Sequence, residues 1–264
     1  MNQEVNDAIQ AVLRWAHVVA GVMWIGHLYF FNFVNGPFQG KIDGPTKKAA
    51  NPELLPRALY WFRWGAAWTW FTGIFLAGLL YYHGRAAWEG EYMQKTNPWL
   101  WLAIVLVLLA VGFVVYNFIM KALANKVVAA AICLLLFAGA YALLECVGHF
   151  SGRGLFIHAG AIFGTTMALN VWMVIWPNQK KIISALKAGT PLAPDSPEVK
   201  IAALRSRHNT YMSAPLIFFM VSYHYPKALS DPPWCRAAYA AGVIVVGFFT
   251  VWLLYKKAAK VPGF

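Results

Sequence analysis

The chain has 264 residues, 60% of them hydrophobic, 16% aromatic and 12% charged, with a mean hydropathy of +0.52. A soluble domain carries about 25% charged residues, so the composition excludes an ordinary globular enzyme and points to a polytopic membrane protein. The net charge of +12 does not signal a nucleic-acid partner, because the basic residues fall between apolar runs.

A membrane span needs about 20 mainly apolar residues. Seven segments qualify as candidates: about 9–34, 61–82, 98–120, 126–149, 154–176, 209–225 and 236–255. The expected fold is therefore all-α, a single transmembrane helix bundle over residues 1–264. The opening MNQEVNDAIQ is acidic, and the first apolar run is too long for a signal peptide. The connections 35–60 and 177–207 are long and rich in Pro, Gly and Lys, and the second contains QKKIISALKAG, which reads as a short amphipathic surface helix. The sixth span contains Pro215, where a kink is expected. Cys133, Cys146 and Cys235 are isolated, with no CxxC or CxxCH, and two of them, in or near apolar spans, read as inert buried residues.

Lys and Arg sort the topology, since they collect on the cytoplasmic side. With the N-terminus outside and the C-terminus inside, 16 of the 22 basic residues lie inside and 6 outside.

The seven histidines carry the functional reading. An ionisable group at membrane depth is costly and is a functional hypothesis by default. His17 falls in the outer half of the first span. His158 lies one turn below the outer end of the fifth, and His149 and His224 sit at outer span ends. His27 and His208 lie deeper. His208 and His224 are about 24 Å apart along a helix and cannot share one iron. A b-type haem needs two imidazoles from different helices, room for a flat ring, and cations near its propionates. Gly21 follows His17 by one turn, and His158 precedes Gly160 and Gly164. These glycines admit either a porphyrin or a neighbouring helix. Arg14 and Arg153 sit where propionates would emerge, or they reach for headgroups. The expectation is one haem b, or two, with ligands drawn from His17, His158 and His224. His208 is too deep to share the outer iron and serves either an inner haem or, with Asn209 near Arg205 and Arg207, a substrate and proton site. Glu145, four residues before His149, is either a proton relay or an acid paired with Arg153. His83 reads as solvated, and His27 as an interhelix polar contact.

Four blocks carry a family resemblance: RWAHVVAGVMWIGHLYFFNFV, YWFRWGAAWTWFTGIFLAGLLYY, SGRGLFIHAGAIFGTTMALNVWMVIWPNQKK and RSRHNTYMSAPLIFFMVSYHYP. In this order they resemble the membrane domain of bacterial cytochrome c-linked urate oxidase. A shorter likeness, His17, Trp24 and Gly26 in H-x6-W-x-G, is to haem-binding membrane proteins of the protoporphyrinogen oxidase and copper-resistance type. The family resemblance implies an α-helical domain in the bacterial inner membrane that oxidises urate and passes electrons to a cytochrome c. Matching positions are His17, Trp24, Gly26, His158, Asn170, Asn178, Gln179, His208, Asn209, Tyr211, Pro215, His224, Tyr225 and Pro226. It also implies a further span and a CxxCH domain, and no CxxCH occurs in residues 1–264. Trp64 is followed by Gly65, where the family pattern has an acid.

The leading expectation is thus a haem b membrane oxidoreductase or electron-transfer subunit. It would work in the bilayer with other subunits of a respiratory-type complex and deliver electrons to a cytochrome c on a partner. A urate oxidase converting urate to 5-hydroxyisourate is the closest alternative. A haem-free transporter or a structural subunit is the alternative of another class. A copper permease would cluster its methionines as soft ligands, whereas Met23, Met120, Met167, Met212 and Met220 are scattered.

Overall fold

The computed structural model describes residues 2–225 and 232–262. Among them it is all-α, with no strand. Eight α-helices of twelve residues or more are present among the described residues: α1 (Gln3–Tyr29), α2 (Gly44–Leu76), α3 (Pro98–Ala122), α4 (Lys126–Ala142), α5 (Gly152–Leu169), α6 (Trp176–Lys187), α7 (Pro197–Val221) and α8 (Pro233–Ala258). Wide π-helical turns extend four of them, at Phe30–Asn35, Ala77–His83, Leu143–Val147 and Asn170–Ile175. Among the described residues, five continuous helical runs are long and apolar enough to cross a membrane: Glu4–Gln39, Pro98–Ala122, Lys126–Val147, Gly152–Lys187 and Pro233–Ala258. They expose large apolar side chains such as Trp15, Val22, Phe118, Leu135 and Val245, as a lipid-facing surface does. The protein is a multi-pass membrane protein.

Helices α2 and α7 correct the expected long connections. The segment 35–60 is helical from Gly44, and 197–207 is the first half of α7. Pro52 and Pro56 lie inside α2, although each removes a backbone donor. The helix persists because one face, with Asn51, Ala58, Leu59 and Phe62, is buried. Asp43 starts it by accepting the Thr46 N–H at 2.8 Å. Hydrogen bonds from the Thr46 hydroxyl and amide hold the Asp43 carboxyl below its ordinary range. QKKIISALK is not a separate surface helix either, since α6 continues the run from α5 without a break. Helix α7 likewise runs on through Pro215. Asn97 and Asn125 cap α3 and α4 through their side-chain oxygens.

The chain forms two compact units, one of residues up to 72, 167–214 and from 244, the other of 73–166 and 215–243. In the first, α1 packs on α2 at Gly65. A Cβ there would lie 3.0 Å from the Trp24 nitrogen and 3.2 Å from the Ala20 oxygen. No acid can stand at this position without parting the two backbones. In the second unit, α4 stacks on α5 through Phe137 and Phe163, with ring centroids 4.7 Å apart. The segment after His83 folds back so that the Trp88 indole donates to the Gly148 carbonyl at 2.9 Å. Gly154 is pressed against it, since a Cβ would come 2.6 Å from the Ala87 oxygen.

Candidate functional site

The first unit holds a half-open cavity of about 840 Å³, within the size range of small-molecule sites. Phe31, Phe62, Tyr211, Trp252 and Tyr255 give it aromatic walls. Its polar lining is Asn32, Asn35, Gln179, Ser206, Arg207 and Lys256, with no carboxylate among the lining residues. The π-helical turn after α1 delivers Asn32 and Asn35 to this space, and such turns re-aim side chains at functional positions.

Asn32 organises the wall. Its amide donates to the Leu28 carbonyl at 2.9 Å and to the Ser206 hydroxyl oxygen at 2.8 Å. Its oxygen accepts from the Tyr255 hydroxyl at 2.9 Å. Ser206 Oγ is therefore an acceptor towards Asn32, which leaves its proton for a ligand. The Asn35 oxygen accepts from Gln39 at 3.2 Å, so its NH2 is the group left for a ligand. Gln39 in turn exchanges two amide bonds with buried Asn51, at 2.8 and 2.9 Å. The Arg207 guanidinium lies 5.5 Å over the Tyr255 ring, and Lys256 Nζ lies 3.6 Å over Trp252. These contacts rest two exposed cations against aromatic faces. The cavity is thus rich in donors, positively charged and flat-walled, a combination suited to a planar organic anion.

The residues singled out from sequence are dispersed. His17 and Gly21 lie in the first unit. His17 Nδ1 is 3.1 Å from Thr72 Oγ1, which itself donates to the Trp68 carbonyl at 2.6 Å. The threonine oxygen must then accept from His17, so Nδ1 carries the proton and Nε2 has the lone pair. That is the tautomer a metal-ligating imidazole adopts. Gly21 meets Thr69, 3.8 Å from an added Cβ, as a helix-packing residue does. Arg14 bonds Gln10 at 3.3 Å on an exposed face.

His158, Gly160, Arg153, His224 and Glu145 lie in the second unit. His158 is 2% exposed. Its Nδ1–H donates to the Gly154 carbonyl at 2.6 Å, and Nε2 accepts from the Tyr82 hydroxyl at 2.7 Å. Tyr81 and Phe150 present their rings to it as well. With both nitrogens engaged, His158 does not fit an axial ligand in this arrangement. Gly160 meets Phe219 and Met220, so the glycine pattern after His158 serves helix packing rather than a porphyrin face. Arg153 lies 4.3 Å over Tyr223 and 5.5 Å over Tyr81. His224 is exposed in the short turn Ser222–His224. Glu145 pairs with Arg236 at 3.0 Å, not with Arg153. His149 lies beyond the helix with φ of 53° and stacks on Tyr92 at 4.2 Å, so it shares no face with Glu145. His27 bonds the Met23 carbonyl of its own helix at 2.7 Å and makes the expected polar contact within α1 rather than between helices. His83 is exposed, as expected. The cysteines are not buried, Cys146 being exposed and the others half-buried. Among the described residues, no group of three metal-ligating side chains forms.

His208 is half-buried on α7 and does not line the cavity, whereas Arg207 beside it does. Asn209 is a buried packing residue: it accepts from Asn170 at 3.0 Å and donates to the Met167 carbonyl at 2.9 Å. Pro226, from the same motif, lies outside the described residues. Sequence reasoning missed Asn32, Asn35, Ser206, Tyr255 and Lys256. Two asparagines within FFNFVN were the available signal.

The family described as urate oxidase N-terminal matches residues 39–262, most of the chain, with His17 outside the matched part. No curated protein and no solved structure matches it.

Proposed function

The chain belongs to the urate oxidase N-terminal family, and we propose that its cavity binds urate, or a purine anion of the same planar kind, and supports its oxidation. The observation that carries this reading is the donor set of Arg207, Lys256, Gln179, Ser206 and Asn35 around one aromatic-walled space free of carboxylates. Urate is flat, anionic at neutral pH and rimmed by lactam groups. A guanidinium offers an anionic edge two parallel N–H donors. A carboxamide matches a lactam edge, donor to acceptor and acceptor to donor. Aromatic walls take the π-faces. Oxidation to 5-hydroxyisourate adds the oxygen of one water and releases two electrons and two protons. Two molecules of cytochrome c, each taking one electron, balance the reaction. With the C-terminus inside, Arg207 and Lys256 stand on the cytoplasmic side of a bacterial inner membrane, and the electrons leave toward an outer cytochrome c on a partner subunit or domain.

Membranes containing the protein are given urate and oxidised cytochrome c. The expected result is urate-dependent reduction that is lost in Arg207→Gln. Wild-type membranes that bind urate but reduce no cytochrome c would remove oxidation from the reading and leave binding alone.

A second reading, a haem b that carries electrons one at a time, is favoured by His17, whose hydrogen bond to Thr72 leaves Nε2 for a metal. His17→Ala should then abolish or convert the reduced-minus-oxidised haem spectrum of purified protein. An unchanged spectrum would make His17 a helix-packing contact.

A further inference from the structure

Arg63 on α2 is a cation in an aromatic cage. Its guanidinium carbon lies 3.9 Å over the Trp176 ring and within 5.6 and 5.9 Å of the Tyr60 and Trp172 rings. Its Nε is buried with no hydrogen-bond partner among the described residues. The Trp172 indole donates to the Arg63 carbonyl at 2.9 Å, which ties the α2 backbone to the tryptophan face. A second cation converges on the same indole. Lys180 lies one helical turn beyond Trp176, with Nζ 5.7 Å from that ring. Four ion pairs form among the described residues, and neither Arg63 nor Lys180 takes part in any of them.

Two like charges drawn to one ring repel each other. A guanidinium with a desolvated N–H and no counter-charge is costly in a membrane protein. Both costs fall if one anion sits between the cations. The surroundings identify its chemistry. Trp61, Trp64, Trp68 and Phe71 are all exposed on α2, at spacings that keep them on one side of the helix. They make an apolar stripe about 15 Å long that starts beside Arg63. Tryptophan and tyrosine mark headgroup depth, and a stripe of this length suits an acyl chain. None of Tyr60, Arg63, Trp172, Trp176 or Lys180 lines the purine cavity.

We infer that Arg63, Lys180 and Trp176 form a binding site for the phosphate of an anionic phospholipid, whose acyl chain lies along Trp61, Trp64, Trp68 and Phe71. Arg63 supplies a planar fork for two phosphate oxygens, held flat by the indole. Lys180 supplies a point charge from the exposed side. The site is independent of the purine cavity and stands or falls without it.

The test is lipid retention by the purified protein, read by native mass spectrometry after reconstitution in phosphatidylcholine with a minor fraction of phosphatidylglycerol. The wild type retains phosphatidylglycerol selectively. Arg63→Gln and Lys180→Gln each lower that retention about fivefold, the weight of one basic residue at an anionic surface. Arg57→Gln, in the same helix but exposed and paired with Glu53, leaves it unchanged. Lys180 is exposed, so its variant decides the matter if the Arg63 variant does not fold. Equal retention by wild type and Lys180→Gln would overturn the site. Inorganic phosphate is the second probe. If it displaces phosphatidylglycerol at millimolar concentration, the site is one for free phosphate and the lipid assignment is wrong.

Discussion

Replacing Arg207 tests the cavity most directly. A charge-assisted hydrogen bond to an anion contributes about 1.5–3 kcal/mol, so Arg207→Gln should weaken urate binding by roughly 10- to 150-fold. Arg207→Lys keeps the charge and loses the planar fork, so its loss should be smaller. Lys256 lies over Trp252 and is a point charge; Lys256→Gln should cost about fivefold, in line with an ion pair near water. A neutral purine such as hypoxanthine separates charge from shape, because it fills the same flat space without the anionic edge. Arg207→Gln should therefore lower urate affinity and leave hypoxanthine affinity nearly as it was. The assay is equilibrium binding to purified protein at two salt concentrations, and added salt should weaken urate binding in the wild type more than in Arg207→Gln. Arg207 also packs over Tyr255, so the unfolding temperature of each variant is measured alongside. If Arg207→Gln folds and binds urate as tightly as the wild type, the anion is not held in this cavity.

Other residues give independent checks. Gly65→Ala drives a Cβ into the Trp24 and Ala20 backbones and should cost about 1–3 kcal/mol, seen as a lower unfolding temperature in detergent; Gly26→Ala, with nothing within 4 Å, should be near neutral. Glu145→Gln leaves Arg236 unpaired at a site only 12–15% exposed and should cost about 2–3 kcal/mol, somewhat less than a fully buried pair; Arg236→Met in that background should recover part of it, and no recovery would mean the pair is not coupled. Tyr82→Phe leaves the buried Nε2 of His158 without its donor and should cost about 1–3 kcal/mol while urate-dependent turnover per folded molecule is retained; lost turnover would move His158 from packing into the chemistry. A reporter fused after Phe264 should be active only as a cytoplasmic fusion, and periplasmic activity would invert the topology.

Composition alone made the helical membrane class legible, because lipid-facing helices need apolar surface all round and leave few charges. Element boundaries failed where tertiary burial overrode local signals. Pro52 and Pro56 argued for a loop, yet Leu59 and Phe62 had a face to bury and kept α2 helical. The glycine near His158 was open to two readings in sequence and is settled by Phe219 and Met220, which occupy the space beside Gly160. Tyr82 and His158 are 76 positions apart in the chain, so no local pattern could show that the tyrosine holds the imidazole nitrogen.

The cavity was hidden for a different reason. Membrane-depth reasoning weights ionisable groups, and it selected histidines, whereas the cavity is lined by an arginine, a lysine, amides and a hydroxyl. The helical period recovers what residue type obscured. Val199, Ala202, Ala203, Ser206, Arg207 and Tyr211 all line the cavity, and their spacing is that of one stripe on α7. Small residues at its start make room, and polar and aromatic ones at its end supply contacts. His208 falls about half a turn from the centre of that stripe, and Asn209 at its edge turns to Asn170 and Met167. The same division appears at the start of α6, where the Asn178 amide bonds the Val174 carbonyl while Gln179 lines the cavity. In both motifs, neighbouring polar residues divide between bonding the protein's own amides and carbonyls and lining the cavity. A motif in a membrane helix thus marks a region, and the period of 3.6 residues decides which of its letters a substrate can touch.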